Sequence, residues 1–195
     1  FSEPTVARVL TSSLAVGEQL VISSSMPIRD VEWFGSVTSG VTVHSNRGAN
    51  GIDGVVSTAV GVALGSGSPT SLLIGDVALL HDVNGLLALN RRTLDMSIVV
   101  TNNDGGSIFS FLPQAEHLDR ATFELLYGTP HGVSFEHVAK TYGLSYFCAT
   151  DEESLRFALA QSGTKIVEVV LDRAVNVDQH DELNSSIAAA VTTTA

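Results

Sequence analysis

The chain has 195 residues, of which 44% are hydrophobic and 16% charged, and its mean hydropathy is +0.26. This length allows a substantial buried core in one large domain, and the formal net charge of −11 argues against a nucleic acid or an anionic membrane as a partner. The single cysteine, Cys148, excludes an internal disulfide and fits a reducing compartment. Since no leader pattern or long apolar run is present, we expect a cytoplasmic protein without strong membrane association.

The first part of the chain alternates helical and strand patterns. Apolar residues at helical spacing predict a helix over Pro4–Leu14, and a short strand follows at Leu20–Ile22. The next helix is expected to carry Pro27 in its first turn. Ser25 and Arg29 would then lie at a strand-to-helix junction, although an ordinary solvated helix arginine is the alternative interpretation of Arg29.

Three further strands and two helices are predicted in the middle of the chain. A strand at Val41–His44 precedes the glycine-rich segment Ser45–Gly54, which opens a helix of small residues. The glycine spacing there matches neither the dinucleotide motif nor the phosphate-binding loop with its lysine. Strands at Ser71–Ile74 and Ser97–Thr101 are joined by one predicted crossover helix over roughly Leu79–Asn90.

The last third contains a long polar connection, Pro113–Gly132, which we interpret as a lid or subunit contact, with an ordinary surface excursion as the alternative. Helix and strand patterns then alternate to the end of the chain: helix Ser134–Tyr142, strand Ser145–Cys148, helix Asp151–Gln161, strand Ile166–Leu171 and helix Asp178–Val191. The whole pattern predicts one α/β domain over residues 1–195, with a doubly wound, mainly six-stranded parallel sheet and helices on both faces.

Two of the predicted strands run directly into small residues that carry oxygen atoms. Gly75 and Asp76 follow one strand, and Asn102 and Asn103 follow the next. The carboxyl ends of parallel strands share one edge of the sheet, where open α/β folds bind their ligands. Carboxylate and amide oxygens suit Mg²⁺, and the 27 positions from Asp76 to Asn103 leave room for one crossover helix and a return strand.

This spacing resembles the fingerprint of thiamine-diphosphate enzymes, and the resemblance covers nearly the whole chain. It is carried by S-x-x-x-R at Ser25–Arg29, S-N-R-G-A-N-G-I-D-G at Ser45–Gly54, G-D-x-x-x-x-x-D-x-N-G-L at Gly75–Leu86, N-N-x-G-G-x-I-F-S-x-L-P at Asn102–Pro113 and F-E-H-x-A at Phe135–Ala139. The chain is most similar to the diphosphate-binding, C-terminal domain of the 2-succinyl-5-enolpyruvyl-6-hydroxy-3-cyclohexene-1-carboxylate synthase family. It looks less like acetolactate synthase or pyruvate decarboxylase.

The resemblance implies two cofactors, thiamine diphosphate and Mg²⁺. The metal ligands would be the side chains of Asp76 and Asn103 and the carbonyl of Gly105, and Ile52 would support the bent cofactor unless it is plain core. The full cofactor-binding set implied by the resemblance is Ile52, Gly75, Asp76, Val77, Ala78, Asn103, Gly105 and Ile108. The family usually has Ser or Thr at the position of Ala78, so one hydroxyl near the diphosphate is missing here.

The resemblance also implies the reaction, a decarboxylative addition of 2-oxoglutarate to isochorismate in menaquinone biosynthesis. The substrate-binding residues would be Ser25, Arg29, Arg47, Phe109 and Leu112. Both substrates carry two carboxylates, and guanidinium groups pair with carboxylates through two parallel hydrogen bonds. For Ile108, Phe109 and Leu112, ordinary core packing is the alternative.

No residue of this chain is predicted to be catalytic, because the glutamate that this family requires lies in a separate pyrimidine-binding domain, usually on the partner subunit. We therefore expect a C-terminal fragment of a longer, homo-oligomeric (homodimeric) enzyme that is inactive alone. Two alternatives stay open at this point: another thiamine-diphosphate 2-oxoacid decarboxylase or carboligase, and a non-catalytic thiamine-diphosphate-binding module.

The histidines and the cysteine are assigned no chemistry. None of the six histidines has the spacing of a zinc site, so no metal or catalytic role is predicted for them: His44, His81, His117, His131, His137 and His180. Cys148 falls in a predicted strand and is interpreted as a small buried hydrophobic residue.

Overall fold

The computed structural model of the chain describes residues 1–46, 51–90 and 92–193. Nine α-helices are described in this part of the chain: α1 Glu3–Ser13, α2 Met26–Phe34, α3 Val55–Ser66, α4 Asp76–His81, α5 Gln114–His117, α6 Arg120–Phe123, α7 Phe135–Tyr142, α8 Glu152–Leu159 and α9 Arg173–Thr193. The strands are β1 Gln19–Ile22, β2 Thr42–Ser45, β3 Thr70–Gly75, β4 Met96–Asn102, β5 Ser145–Cys148 and β6 Lys165–Val170. Among the described residues, no helix combines the length and the apolar character needed to cross a bilayer.

The six strands form one sheet in the order β2-β1-β3-β4-β6-β5, and every described pair of neighbours is parallel. This confirms the predicted fold class. The chain moves outward from β1 to β2 on one side and from β3 through β4 to the edge strand β5 on the other, and β6 then inserts between β4 and β5. The direction of winding therefore reverses between β1 and β3, and such a reversal opens a crevice at the carboxyl ends of the two strands.

Helices cover both faces of the sheet, so the central strands contain continuous buried runs of residues rather than an alternation of buried and exposed ones. Leu72 and Ile74 of β3 pack with the small residues of α3 on one face. Leu73, between them, packs on the other face with the apolar side of α1, including Val6 and Leu10. Two hydrophobic layers therefore hold the central strands rigid, and the loops that follow these strands have fixed starting points.

The crossover between β3 and β4 differs from the single helix predicted over Leu79–Asn90. Helix α4 ends at His81, and a 3₁₀-helix, Val83–Ala88, follows. The break lies at Asp82, whose carboxylate accepts hydrogen bonds from the backbone N–H and hydroxyl of Ser57 in α3, at 2.7 and 3.0 Å. The helical pattern of the sequence did not reveal this contact, because it depends on a residue 25 positions away.

The expectation of a buried cysteine was wrong, since Cys148 is exposed. It ends β5, an edge strand that pairs only with β6 among the described residues. An edge strand has a neighbour on one side only, so its last residue stays open to solvent.

The connection 113–132 contains the short helices α5 and α6 and a π-helical turn, Glu124–Gly128, and Phe123 within it is buried.

Candidate functional site

A cavity of about 200 Å³ opens at the carboxyl ends of the central strands, where the winding reverses. Ser25 reaches it from the end of β1, Asp76 from the end of β3 and Asn103 from the end of β4. Each strand is buried and ends in a short polar turn. The fold therefore brings together residues that lie far apart in the sequence.

All eight residues that the resemblance assigned to the cofactor line this cavity: Ile52, Gly75, Asp76, Val77, Ala78, Asn103, Gly105 and Ile108. Two of the five residues assigned to the substrate, Ser25 and Phe109, line it as well. The sequence motifs thus predicted ten residues that line one cavity. Lining the cavity does not by itself assign a function to any of them.

The other three substrate candidates lie elsewhere. Arg29 is exposed in an adjacent groove that shares Ser25 with the cavity, and its Nη1 donates a hydrogen bond to the carbonyl of Ser25 at 2.6 Å. Leu112 is exposed at the end of the 3₁₀-helix that follows the Asn-Asn motif and is not among the residues lining the cavity. Arg47 lies outside the described residues.

Asp76 is almost completely buried and accepts hydrogen bonds at both carboxylate oxygens. Its Oδ1 accepts from the N–H of Val77 at 2.6 Å, at the start of α4. Its Oδ2 accepts from the N–H groups of Asn103 at 3.1 Å and Gly105 at 2.9 Å. Backbone groups of the loop after β4 therefore bind the carboxylate directly and fix it against that loop.

One polar atom in this cluster has no partner. The Asn103 side chain donates through Nδ2 to Glu3 at 2.9 Å, but its Oδ1 is buried and lacks a donor among the described residues. An unsatisfied buried acceptor costs about 1–3 kcal/mol, so it is expected to bind something else. Asp76 and Gly105 line the same cavity as Asn103, and the Gly105 carbonyl accepts from the N–H of Ser107 at 3.0 Å. Carboxylate, amide and carbonyl oxygens are the hard ligands that Mg²⁺ prefers.

Backbone strain is concentrated around the cavity. The non-glycine residues described with positive φ are Ser25 at 77°, Asp104 at 57° and Thr129 at 43°, and two of them line the cavity. Gly105 has φ of 135°, and a Cβ there would meet the carbonyl oxygen of Gly128 at 1.8 Å. Only glycine fits at this position, and strained backbone of this kind is typical of functional sites.

His131 is a site residue that the sequence did not predict. Its Nδ1 accepts from the N–H of Val133 at 3.0 Å, so Nε2 carries the proton and donates to Asp76 Oδ2 at 3.2 Å. Asp104 accepts from the N–H groups of His131 and Gly132, and the bond from Gly132 is the main cause that lowers the pKa of Asp104. No local spacing could have shown this contact, because His131 lies 55 positions from Asp76.

Glu3 is the second residue that the sequence did not predict. An acidic residue in the first turn of a helix usually interacts with the helix dipole at the surface, but Glu3 is 3% exposed. It lies in a buried cluster with Asp30, Asn176 and His180, in which His180 Nε2 contacts Asp30 Oδ1 at 2.8 Å. This cluster connects α1, α2 and α9 beneath the cavity.

Burial sets the protonation of this cluster. Loss of hydration raises the pKa of Glu3 to about 7, and the nearby Asp30 adds to the rise. Burial likewise raises the pKa of Asp30, against the opposing effect of His180. Burial alone would lower the pKa of His180, but its bonds to Asp30 and to the Asn176 carbonyl raise it above the ordinary value. All three groups therefore bind protons more tightly than in an unfolded chain.

Two of the several larger grooves outside this cavity can be compared with it. One of about 790 Å³ shares Asn103 with the cavity and is bordered by the connection 113–132 and the start of α9. The other, of about 480 Å³, lies at the opposite end of the sheet, near Asp95 and Arg156. Volume does not distinguish the site here, because the smaller cavity has more of the unusual features than the larger grooves. It is lined by both Asn103 and Ser107, whose buried oxygens have no partner among the described residues, and by the positive-φ residues Ser25 and Thr129.

Comparison with known proteins gives a family for this arrangement. The family model of the C-terminal TPP-binding domain of thiamine pyrophosphate enzymes matches residues 34–173. The chain is 45% identical, over 97% of its length, to the 2-succinyl-5-enolpyruvyl-6-hydroxy-3-cyclohexene-1-carboxylate synthase of Myxococcus xanthus (strain DK1622). It is 48% identical, over 92% of its length, to the synthase of the same name from Chloroflexus aurantiacus.

These relatives are much longer than the chain, which spans 33% and 31% of their respective lengths. Among solved structures, benzoylformate decarboxylase from Polynucleobacter necessarius superimposes with a TM-score of 0.74 at 19% identity. The alignment covers 87% of this chain and 33% of that one. At this level of identity, the likeness concerns the fold alone.

Proposed function

This chain belongs to the family of C-terminal TPP-binding domains of thiamine pyrophosphate enzymes, and from that premise we propose that residues 1–195 form a domain that binds thiamine diphosphate through Mg²⁺. The observation that carries the proposal is the buried Oδ1 of Asn103, which has no partner among the described residues. The backbone N–H of the same residue donates to the carboxylate of Asp76. Asp76, Asn103 and the Gly105 carbonyl would hold the metal, which would in turn bind the diphosphate of the cofactor.

The lining of the cavity supports a bound diphosphate ester. The glycines around Gly105 carry no side chain and therefore let the backbone approach an anion closely. Ser107 lines the same cavity, and its buried hydroxyl has no partner among the described residues. It is a candidate for the hydroxyl that the family usually supplies at the position of Ala78.

We further propose that the whole enzyme performs the reaction named in its relatives, with 2-oxoglutarate and isochorismate as substrates. Thiamine diphosphate supplies a stabilised carbanion for decarboxylation and carbon–carbon bond formation. In this chain, Ile52, Ile108 and Phe109 would exclude water around the cofactor. Ser25, Arg29 and Arg47 would bind substrate carboxylates, Arg29 after it exchanges the Ser25 carbonyl for the substrate.

Calorimetric titration with thiamine diphosphate, with and without Mg²⁺, tests the metal-dependent site. Binding is expected only with the metal, and Asp76→Asn should weaken it at least about 10-fold, because a neutral amide is a weaker ligand for a divalent cation than a carboxylate. Asp95→Asn, at the opposite end of the sheet, is the matched control and should bind as the parent chain does. Equal binding without metal, or by the Asp76 variant, would contradict the proposal.

A further inference from the structure

Glu3 makes the only described side-chain contact of the Asn103 amide. The Glu3 carboxylate accepts the Asn103 amide Nδ2–H at Oε1 and the Asn176 amide Nδ2–H at Oε2, both at 2.9 Å. All three side chains are more than nine-tenths buried, so water does not substitute for either bond. The carboxylate therefore stands between two amide groups, one at the metal candidate and one on α9.

The chemistry of a carboxylate decides how the Asn103 amide is oriented. In the structure both oxygens of Glu3 accept hydrogen bonds from amide groups. This is the pattern of the ionised form, which predominates above the pKa of about 7, and an ionised carboxylate donates no hydrogen bond. It therefore selects the NH₂ end of the Asn103 amide and leaves the carbonyl oxygen on the other side. That oxygen is the buried acceptor without a donor among the described residues, and in the opposite orientation two donors would remain where a cation has to bind.

Asn176 cannot reorient to relieve a change at Glu3. The backbone N–H of Glu3 donates to Asn176 Oδ1 at 3.2 Å, which fixes the amide of Asn176 with its NH₂ group toward the carboxylate. The backbone carbonyl of Asn176 contacts His180 Nδ1 at 2.8 Å, and His180 in turn contacts Asp30. Glu3 thus meets two amide donors, and one of the two is held in place by α1 and α9.

The adjacent asparagine provides an internal comparison. Asn102 Nδ2 donates to the buried carboxylate of Glu168 at 2.5 Å, but its Oδ1 already accepts from the N–H of Asp104 at 3.1 Å. The second oxygen of Glu168 accepts from the hydroxyl of Tyr146 at 2.6 Å. Both asparagines thus donate to a glutamate, but Asn103 differs in keeping a carbonyl oxygen without a donor among the described residues.

We infer that Glu3 is a positioning residue for the metal site: it fixes the amide of Asn103 with the carbonyl oxygen available to a divalent cation. The inference rests on the proposed function, in which Asn103 is a metal ligand. Glu3 acts through Asn103 and does not touch the cation. Because its other oxygen is bound by Asn176, the metal site depends on the contact between α1 and the start of α9.

Glu3→Gln tests the inference, because it keeps the size of the side chain and replaces one acceptor by a donor. The introduced amide cannot accept from both asparagines at once. When its oxygen accepts from Asn176, its NH₂ group faces Asn103 and favours the reversed amide. In the full protein with saturating thiamine diphosphate, at about pH 8, where Glu3 is ionised, we expect the dissociation constant for Mn²⁺ to rise about 10-fold or more. Mn²⁺ replaces Mg²⁺ as the probe because electron paramagnetic resonance measures the free ion.

Two further variants separate orientation from a general effect of losing a buried charge. Glu168→Gln makes the same change beside Asn102, but the Tyr146 hydroxyl can accept from the introduced NH₂ group, so Mn²⁺ affinity should stay within about 2-fold of the parent. In the double variant Glu3→Gln/Asn103→Asp, the introduced glutamine donates to one oxygen of the introduced aspartate, and the other oxygen is free for the cation. Mn²⁺ binding should therefore recover in the double variant.

Three results would overturn the inference. The first is Mn²⁺ binding by Glu3→Gln within about 2-fold of the parent, the second is a loss of Mn²⁺ affinity in Glu168→Gln as large as that in Glu3→Gln, and the third is a double variant that binds Mn²⁺ as weakly as Glu3→Gln. If Glu3→Gln does not fold, recovery of the double variant relative to Asn103→Asp alone decides the question, because that single change sets two carboxylates against each other. A parent protein that binds neither Mn²⁺ nor thiamine diphosphate overturns the proposed function itself, a result distinct from all the others.

Discussion

At the scale of single residues, the site combines side chains whose ordinary chemistry is changed by burial. Asp76 exchanges water for backbone N–H groups, and its carboxylate is fixed before any cation arrives. Asn103 keeps one oxygen unsatisfied among the described residues, which is unfavourable in the empty protein and favourable once a cation binds. The polar groups beneath the cavity therefore lower the stability of the metal-free domain, and in return they hold the site in the arrangement that a cation needs.

The protonation of Glu3 leads to a prediction about stability and pH. Its pKa of about 7 in the folded protein lies above the ordinary value of 4.5, so the folded protein keeps a proton that the unfolded chain releases. This contribution is fully present below pH 4.5 and is lost as the pH rises through about 7. It corresponds to a fall of about 3 kcal/mol in the free energy of unfolding. The raised pKa values of Asp30 and His180 act in the same direction.

Urea unfolding of the metal-free protein at about pH 4.5 and about pH 8 measures this dependence. Glu3→Gln removes the titrating group, so its stability should change with pH by about 3 kcal/mol less than that of the parent chain. Identical pH dependence in the two proteins would show that Glu3 titrates normally.

At the scale of elements, the crossover after β3 is shaped by contact with α3 rather than by its own helical pattern. Gly85 lies in the 3₁₀-helix, and a Cβ there would meet Ser57 N at 3.1 Å, Ser57 Oγ at 2.9 Å and Val56 Cγ1 at 3.1 Å. Asp82 binds the same turn of α3 from the break between the two helices. The close approach of these two elements fixes the position of α4, which begins with Asp76.

Gly85→Ala is therefore expected to destabilise the fold by about 1–3 kcal/mol, because a backbone atom is among those that have to move. Gly61→Ala is the matched control: it lies inside α3, and a Cβ there meets nothing within 4 Å. That change should stabilise the protein by about 0.5–1 kcal/mol, since alanine is the better helix former. Chemical denaturation of both variants gives the comparison, and equal effects would refute the proposed close contact.

At the scale of the whole molecule, the chain spans 33% and 31% of the two synthases to which it was compared. The cavity opens at the carboxyl edge of the sheet, and no residue of this chain is predicted to be the catalytic glutamate. The proposed function therefore places the missing half of the active site on another domain. On this proposal, the domain would bind and position its cofactor without completing the reaction.

We accordingly predict that the 195-residue chain alone is catalytically inert, even with thiamine diphosphate and Mg²⁺ bound. Incubation with 2-oxoglutarate and isochorismate should release no more carbon dioxide than a reaction without protein. The calorimetric titration serves as the control that the cofactor is bound under the same conditions. Turnover at a substantial rate would show that this chain contains a complete active site.

The sequence by itself determined the fold class and most of the residues that line the cavity. Buried parallel strands leave continuous apolar runs, and the turns after them keep short motifs such as Gly75–Asp76 and Asn102–Asn103. Only the tertiary structure decided the break at Asp82, the exposure of Cys148 and the contacts of His131 and Glu3. The physical reason is range: strand and turn patterns are local, whereas the burial of a charge depends on elements as distant in sequence as α1 and α9.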